Sequence, residues 1–345
     1  MNRKLSLFIV FICLLTLSIL VGCGGNESVP TVTPEMEEPT LPLPEDRLMG
    51  GAVTVGTLRG PSGMGMAALM SWAEDGLSLN DYTFLLGGTP EEMTAGLISG
   101  ELDIAAVPVN LASILYNRTD GEVQVISALT QSVLFVLDAT GEVQSIEDLR
   151  GRTVHITGQG AIPQFAFEHI LRENGLEPGV DVEIVFNAEH AELAALMVAG
   201  EVEIGLLPQP FVTAVLGQSE GAVQIALDLA AEWDAVSDTE FVQSSVVVRT
   251  AFLEAYPDTV ALFLQEHAES LAFVSIYVDE AAALMEQFDI VPAAVARQVI
   301  PRSNFVYLIG ADMQSAVAAF LTVIFEGNPE AIGGVMPSAA FYFLG

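Results

Sequence analysis

Apolar and polar positions alternate along the chain in blocks, and the blocks recur. Residues 52–58 (AVTVGTL) and 152–157 are β-rich runs, each meeting a Gly/Pro loop and then a stretch with helical spacing, at 64–72 and 163–174. A second strand is predicted at 82–86 and 182–186, followed by a helix at 90–99 and 189–199. A third strand, 104–107 or 204–207, runs into Pro108 or Pro208 and another helix. Six residues are identical between 91–117 and 191–217: Glu92/Glu192, Ala95/Ala195, Gly100/Gly200, Glu101/Glu201, Ile104/Ile204 and Pro108/Pro208. The same offset of 100 pairs Gly51 with Gly151, Thr57 with Thr157 and Gly60 with Gly160, and no gap is needed. Such self-similarity marks a duplicated unit. Strands alternating with helices predict parallel sheets with right-handed crossovers, so the doubled unit predicts an α/β protein of two lobes facing a cleft.

From residue 250 the pattern changes to helices alone, expected at 257–277, 279–288, 292–299 and 312–326 and punctuated by Pro257, Pro292 and Pro329. This tail is expected to pack on the first lobe. The chain then crosses between lobes twice, near 134–138 and 244–248, and two extended crossings make a hinge. The expected divisions are 49–136 plus 247–345 for lobe one and 137–246 for lobe two.

The amino end is an address. Arg3 and Lys4 precede an uncharged run from Leu5 to Gly22, as in a secretory signal. The run ends in Leu20-Val21-Gly22-Cys23, which resembles the lipobox of bacterial lipoproteins. Residues 1–22 are thus expected to be removed and Cys23 to be lipidated; an uncleaved anchor and an ordinary secreted protein are the alternatives. Residues 23–48, with Pro30, Pro34, Pro39, Pro42 and Pro44 among Glu, Thr and Ser, read as an extended tether.

Charge narrows the partners. Eleven basic against 45 acidic residues give −34, and without the signal the balance is 9 − 45 = −36, with no lysine left. A chain so acidic lacks the basic face that nucleic acid requires. The acids are spread along the sequence, which fits a solvated surface better than a cation trap. The two cysteines, Cys13 and Cys23, both lie in the first 23 residues, which leaves the folded part without a disulfide or a cysteine metal site.

Four stretches carry a family resemblance: Thr57 to Gly65 (TLRGPSGMG), Gly158-Gln159-Gly160, Glu189 to Leu193 (EHAEL) and Pro208 to Val212 (PQPFV). Together they resemble the substrate-binding lipoproteins of ABC importers of the nitrate, sulfonate, taurine and thiamine-precursor type. The resemblance implies a type II periplasmic-binding-protein fold over residues 50–345. It also implies a small-molecule ligand, permease and ATPase partners, attachment to the outer face of the cell membrane, action as a monomer and no cofactor. Gln209 stands where such proteins often carry an acid, which bears on ligand charge.

In open α/β sheets ligands sit beyond the carboxyl ends of the strands, where helix N-termini point. Those ends fall at Arg59, Ser62, Gly63 and Met64, at Gly88 and Thr89, and at Asn110 in the first copy. In the second they fall at Thr157, Gly158 and Gln159, at His190 and at Gln209. Arg59 either grips an anionic group or pairs with a surface acid. Ser62 and Thr89 are hydroxyl donors or helix caps. Asn110 contacts ligand or supports a turn. His190 lacks a third ligand at metal-binding spacing, so capping with a ligand hydrogen bond is the better reading. Trp233 stacks on a flat ligand or packs, and Met64 lines an adaptable pocket or the core. No nucleophile–base set or paired acid–base signature is readable, which favours a carrier over an enzyme on the same fold. A ligand-binding component of a sensor is the third reading.

Overall fold

The computed structural model describes residues 50–345; the signal, Cys23 and the tether lie outside the described residues. From Ala52 the chain forms β1 (Ala52–Leu58), α1 (Pro61–Glu74), β2 (Asp81–Gly87), α2 (Pro90–Ser99), β3 (Ile104–Pro108), α3 (Val109–Arg118) and β4 (Val123–Thr130). It continues through β5 (Leu134–Asp138), β6 (Thr153–Ile156), α4 (Ile162–Glu173), β7 (Glu183–Phe186), α5 (His190–Val198), β8 (Ile204–Pro208), α6 (Phe211–Gln218), β9 (Gln224–Asp228) and α7 (Leu229–Val236). The last third holds β10 (Ser244–Arg249), α8 (Thr250–Ala255), α9 (Pro257–Ile276), α10 (Val278–Gln287), α11 (Ala293–Val299), β11 (Phe305–Leu308) and α12 (Gly310–Gly327).

Local chemistry sets these boundaries. In α2 the Thr89 hydroxyl accepts the Glu92 N–H at 3.4 Å, Pro90 sits in the first turn where no N–H is needed, and Gly100 closes the helix at φ 78°. The fully buried runs Ile104–Val107, Leu134–Leu137 and Ile204–Pro208 belong to interior strands covered on both faces, which is why they are continuously apolar rather than alternating.

Two sheets result, ordered β11-β4-β10-β3-β1-β2 and β7-β6-β8-β5-β9. β1 runs parallel to β2 and β3, and β6 parallel to β7 and β8. An antiparallel strand follows in each, β10 against β3 and β5 against β8. Read from one edge, β2-β1-β3-β10-β4 therefore matches β7-β6-β8-β5-β9; β4 and β9 keep the offset of 100 in Gln124/Gln224, whereas β10 and β5 show no repeat in sequence.

The chain changes sheet a little earlier than the sequence predicts. The expected crossings at 134–138 and 244–248 are β5 and β10 themselves, and the actual links are residues 131–133 and 237–243. These links are more polar than the strands, and their hydrogen bonds run sideways. Gln243 N–H donates to the Thr130 carbonyl at 2.9 Å, and its side-chain oxygen accepts the Val133 N–H at 3.1 Å. Asn304 holds the other flank, accepting the Gln131 N–H at 3.0 Å and donating to the Ser132 carbonyl at 2.7 Å.

The tail corrects a second expectation. Its first helices do lie on the first lobe: on α9, Ser270 donates to the Gly65 carbonyl at 2.7 Å and accepts the Leu69 N–H at 3.1 Å. β11, which the sequence did not reveal, adds to the edge of the first sheet beside β4. The helix α12, however, touches α3 and β4 on one side and α4 on the other, and so belongs to both lobes. Its Phe320 lies 5.1 Å from the Phe241 ring and 5.3 Å from the Trp233 ring, fusing a single hydrophobic cluster across the two sheets. Among the described residues no helix is long and apolar enough to cross a membrane.

Two stability measurements follow from this packing. Phe320→Ala is expected to lower the unfolding free energy by about 3–5 kcal/mol, the range for deleting a buried aromatic ring. A loss under about 1 kcal/mol in a denaturant titration would show that α12 does not hold the lobes. His267, on α9, is fully buried near Phe263 and Tyr307, and neither ring nitrogen has a hydrogen-bond partner. Burial pushes its pKa down to about 3. The unfolded imidazole takes up its proton near 6.5, so folded-state stability is complete above that pH and falls as pH drops toward 3, by up to about 1.4 kcal/mol per pH unit. His267→Leu should flatten this slope between pH 6 and 4; an unchanged slope would mean that other groups set the acid lability.

Candidate functional site

The carboxyl ends of β1, β3 and β8 meet the two links around a cavity of about 190 Å³ between the sheets. The first copy contributes Leu58 to Ser62 with Val107 and Pro108; the second contributes Pro163, His190, Pro208 and Gln209. The links and the adjoining strand ends contribute Thr130, Val133, Leu134, Gln243 and Ser244. A neighbouring cavity of about 310 Å³ shares Pro108, Pro163 and Gln243 and runs on past Glu91, Asn110 and Gly160. A larger depression of about 440 Å³ lies at the far end of the first sheet, but its Arg249 is already engaged by Asp103 at 2.6 Å and the Leu102 carbonyl at 3.0 Å.

Arg59 reaches the rim. Its guanidinium lies 3.2 Å from the Asp289 carboxylate and donates to the Asp289 carbonyl at 3.1 Å, an exposed pair. Ser62 lines the cavity from the first turn of α1, a helix with no side-chain cap. Gly63 is needed for the turn itself: a Cβ there would sit 2.4 Å from the Leu58 carbonyl oxygen. Asn110 lines the second cavity while its amide donates to the Ala331 carbonyl at 3.2 Å.

In the second copy, Thr157 is buried with its hydroxyl against Nδ1 of His190, and it places that ring at the cavity wall. Burial pushes the His190 pKa down, and Glu189 opposes it only in part. The Gln209 side-chain oxygen accepts both the N–H and the hydroxyl of Thr213, at 3.3 and 2.9 Å. Its amide nitrogen is buried with no partner.

Six expected contacts lie elsewhere. Met64 is 1% exposed and belongs to the core under α9, because the first turn of α1 points it inward. Gly88 and Thr89 serve α2: the Gly88 N–H donates to the Glu92 carboxylate at 2.8 Å and Thr89 is the cap. Gln159 is exposed and lines neither cavity. Gly158, at φ 78°, turns the loop without lining either one. Trp233 is wholly buried, 5.0 Å from Phe241, with its indole N–H donated to the Thr239 carbonyl at 2.6 Å, so it packs rather than stacks on a guest.

Thr130, Gln243 and Ser244 were missed. Their signal was the pair of crossings, which mark the floor of any cleft between two lobes. In a chain with 45 acids, no carboxylate lines the 190 Å³ cavity among the described residues, and Arg59 is the one arginine among them that does. The arrangement offers hydroxyl, amide and imidazole groups on an otherwise apolar wall, which suits binding and supplies no acid–base pair.

The family model described as "ABC transporter, phosphonate, periplasmic substrate-binding protein" matches residues 68–292, well over half of the chain. An ABC transporter structure from Parabacteroides distasonis is 23% identical, with a TM-score of 0.71 over 84% of this chain and 98% of that one. The periplasmic aliphatic sulphonate binding protein SsuA from Escherichia coli is 16% identical, with a TM-score of 0.67 over 82% and 90%. The periplasmic nitrate-binding protein NrtA from Synechocystis PCC 6803 is 13% identical, with a TM-score of 0.57 over 80% and 81%. No curated protein matches the sequence. The fold is the two-lobed α/β fold of type II periplasmic binding proteins. The chain belongs to the family of periplasmic substrate-binding proteins of ABC transporters whose model it matches.

Proposed function

We propose that this protein is the lipid-anchored, extracytoplasmic solute receptor of an ABC importer. Cys23 carries the acyl chains, residues 24–48 hold the lobes off the membrane, and a small organic solute is captured in the cavity between the sheets and handed to a permease. The observation that carries this reading is the cavity itself: equivalent loops of a duplicated fold face one another across the two links that join the sheets. Arg59, Ser62, His190 and Gln209 line it and are the proposed contacts. Its volume, about 190 Å³, is below the ~300–1,000 Å³ typical of drug-sized ligands, which points to a compact guest. Solutes of the sulfonate, nitrate and pyrimidine or thiamine-precursor types are the classes to test.

A receptor must be stabilised by what it carries. A soluble form beginning near residue 49, screened by thermal shift against sulfonates, phosphonates, nitrate, amino acids and pyrimidines, should gain about 2.7 kcal/mol from its solute at 100 times Kd. Stabilisation by none of them up to millimolar concentration would remove the carrier reading for these classes. For the anchor, Cys23→Ala in the full chain should release the protein from membrane to medium, as read by fractionation. Retention on the membrane would contradict acylation at Cys23.

A further inference from the structure

Gln209 and Gln243 lie 34 positions apart in the sequence, yet both meet at Val133. The Val133 carbonyl accepts the Gln209 N–H at 3.0 Å, and the Val133 N–H donates to the Gln243 side-chain oxygen at 3.1 Å. All three residues line the 190 Å³ cavity.

The orientation of each side-chain amide is fixed by chemistry. A backbone N–H can only donate, so the atom of Gln243 that faces Val133 is the oxygen and its NH₂ is turned away. The N–H of Thr213 fixes Gln209 in the same way. Both amides therefore have a pinned acceptor and an unused donor: neither nitrogen has a partner among the described residues, and Gln209, 3% exposed, is buried almost completely. Buried polar groups in folded proteins are nearly always paired, so the buried Gln209 donor calls for an acceptor brought from outside, and the half-buried Gln243 presents a second donor at the same cavity.

The charge around them limits what that acceptor can be. No carboxylate lines the cavity, Arg59 at its rim is paired with Asp289, and the whole chain carries −34. An anion entering would lose its water without gaining a free cation, and it would do so inside an acidic molecule. An uncharged solute loses less hydration and is not repelled by that charge.

We infer that the cavity selects a small uncharged solute with at least two hydrogen-bond acceptor atoms, received by the side-chain amides of Gln209 and Gln243. This rests on the carrier reading and narrows its substrate class to molecules such as amides, sulfones and nitrogen heterocycles. It sets aside the phosphonates and sulfonates named for the matched family and for a structural relative.

The test is calorimetric titration of the soluble protein with an isosteric series, methylphosphonate, methanesulfonate and dimethyl sulfone, together with uracil and cytosine. The expected result is binding of at least one uncharged member and at least tenfold weaker binding of both anions. Gln209→Glu and Gln243→Glu are the informative variants, since each keeps the oxygen that holds Thr213 or Val133 and replaces only the donor. Each should weaken the uncharged ligand tenfold or more with the melting temperature of the free protein unchanged. A Glu variant that melts lower is replaced by the corresponding Met variant, which also lacks the donor. Binding of methylphosphonate or methanesulfonate ahead of the uncharged solutes, lost in Arg59→Ala, would overturn the inference and leave the carrier reading standing. Equal binding by wild type and both variants would overturn the role of the two amides. No binding by any of the five would overturn the inference and count against the carrier reading as well.

Discussion

Val133 is the point on which the molecule turns. It lies in the short link between β4 and β5, and both of its backbone groups are committed, one to Gln209 at the end of β8 and one to Gln243 in the returning link. The chain cannot pass between the sheets there without also bringing together the ends of the strands that carry the site. The join between the lobes and the cavity are thus built from the same hydrogen bonds. A guest that engages the amides of Gln209 and Gln243 acts directly on the residues that fasten one link to the other. In a two-lobed receptor, this is where differential affinity for one lobe arrangement would arise.

Much of the fold was legible in the sequence because duplication wrote it twice. Gly100 and Gly200 both take the left-handed conformation after a helix, at φ 78° and 74°, and Pro108 and Pro208 both end a buried strand. What escaped notice were features set by long-range contact. β11 is four residues at a sheet edge, too short for a period to declare itself. The crossings were misplaced because Leu134–Leu137 is apolar throughout, and periodicity does not separate a buried strand from a buried connector.

The site was legible only in its geography. The rule that places ligands at strand carboxyl ends found Arg59, Ser62, His190 and Gln209, which depend on the fold class alone. It gave no way to tell a residue whose donors are used locally from one whose donors are free. Gly88 and Thr89 satisfy α2, and Trp233 satisfies the core, so neither the loop nor the aromatic ring is left to meet a ligand. Which donors remain unused depends on the complete hydrogen-bond account of the folded chain, and that is where Gln243 emerges.

The helix α12 sets the terms on which the lobes can move. With Phe320 seated against Phe241 and Trp233, and other turns against α3 and β4, a large separation of the sheets on that side would strip water-excluded aromatic surface from both. Packed interfaces of this kind do not stretch; they hold one arrangement or change to another. On the opposite side the lobes also touch, through α11 and α6, and Arg59 reaches Asp289 just ahead of α11. That ion pair is exposed and joins two segments of the first lobe, so it does not tie the lobes together, whereas the α12 interface is apolar and buried. The water-excluded α12 interface is therefore the tie that any change in lobe arrangement must keep or replace.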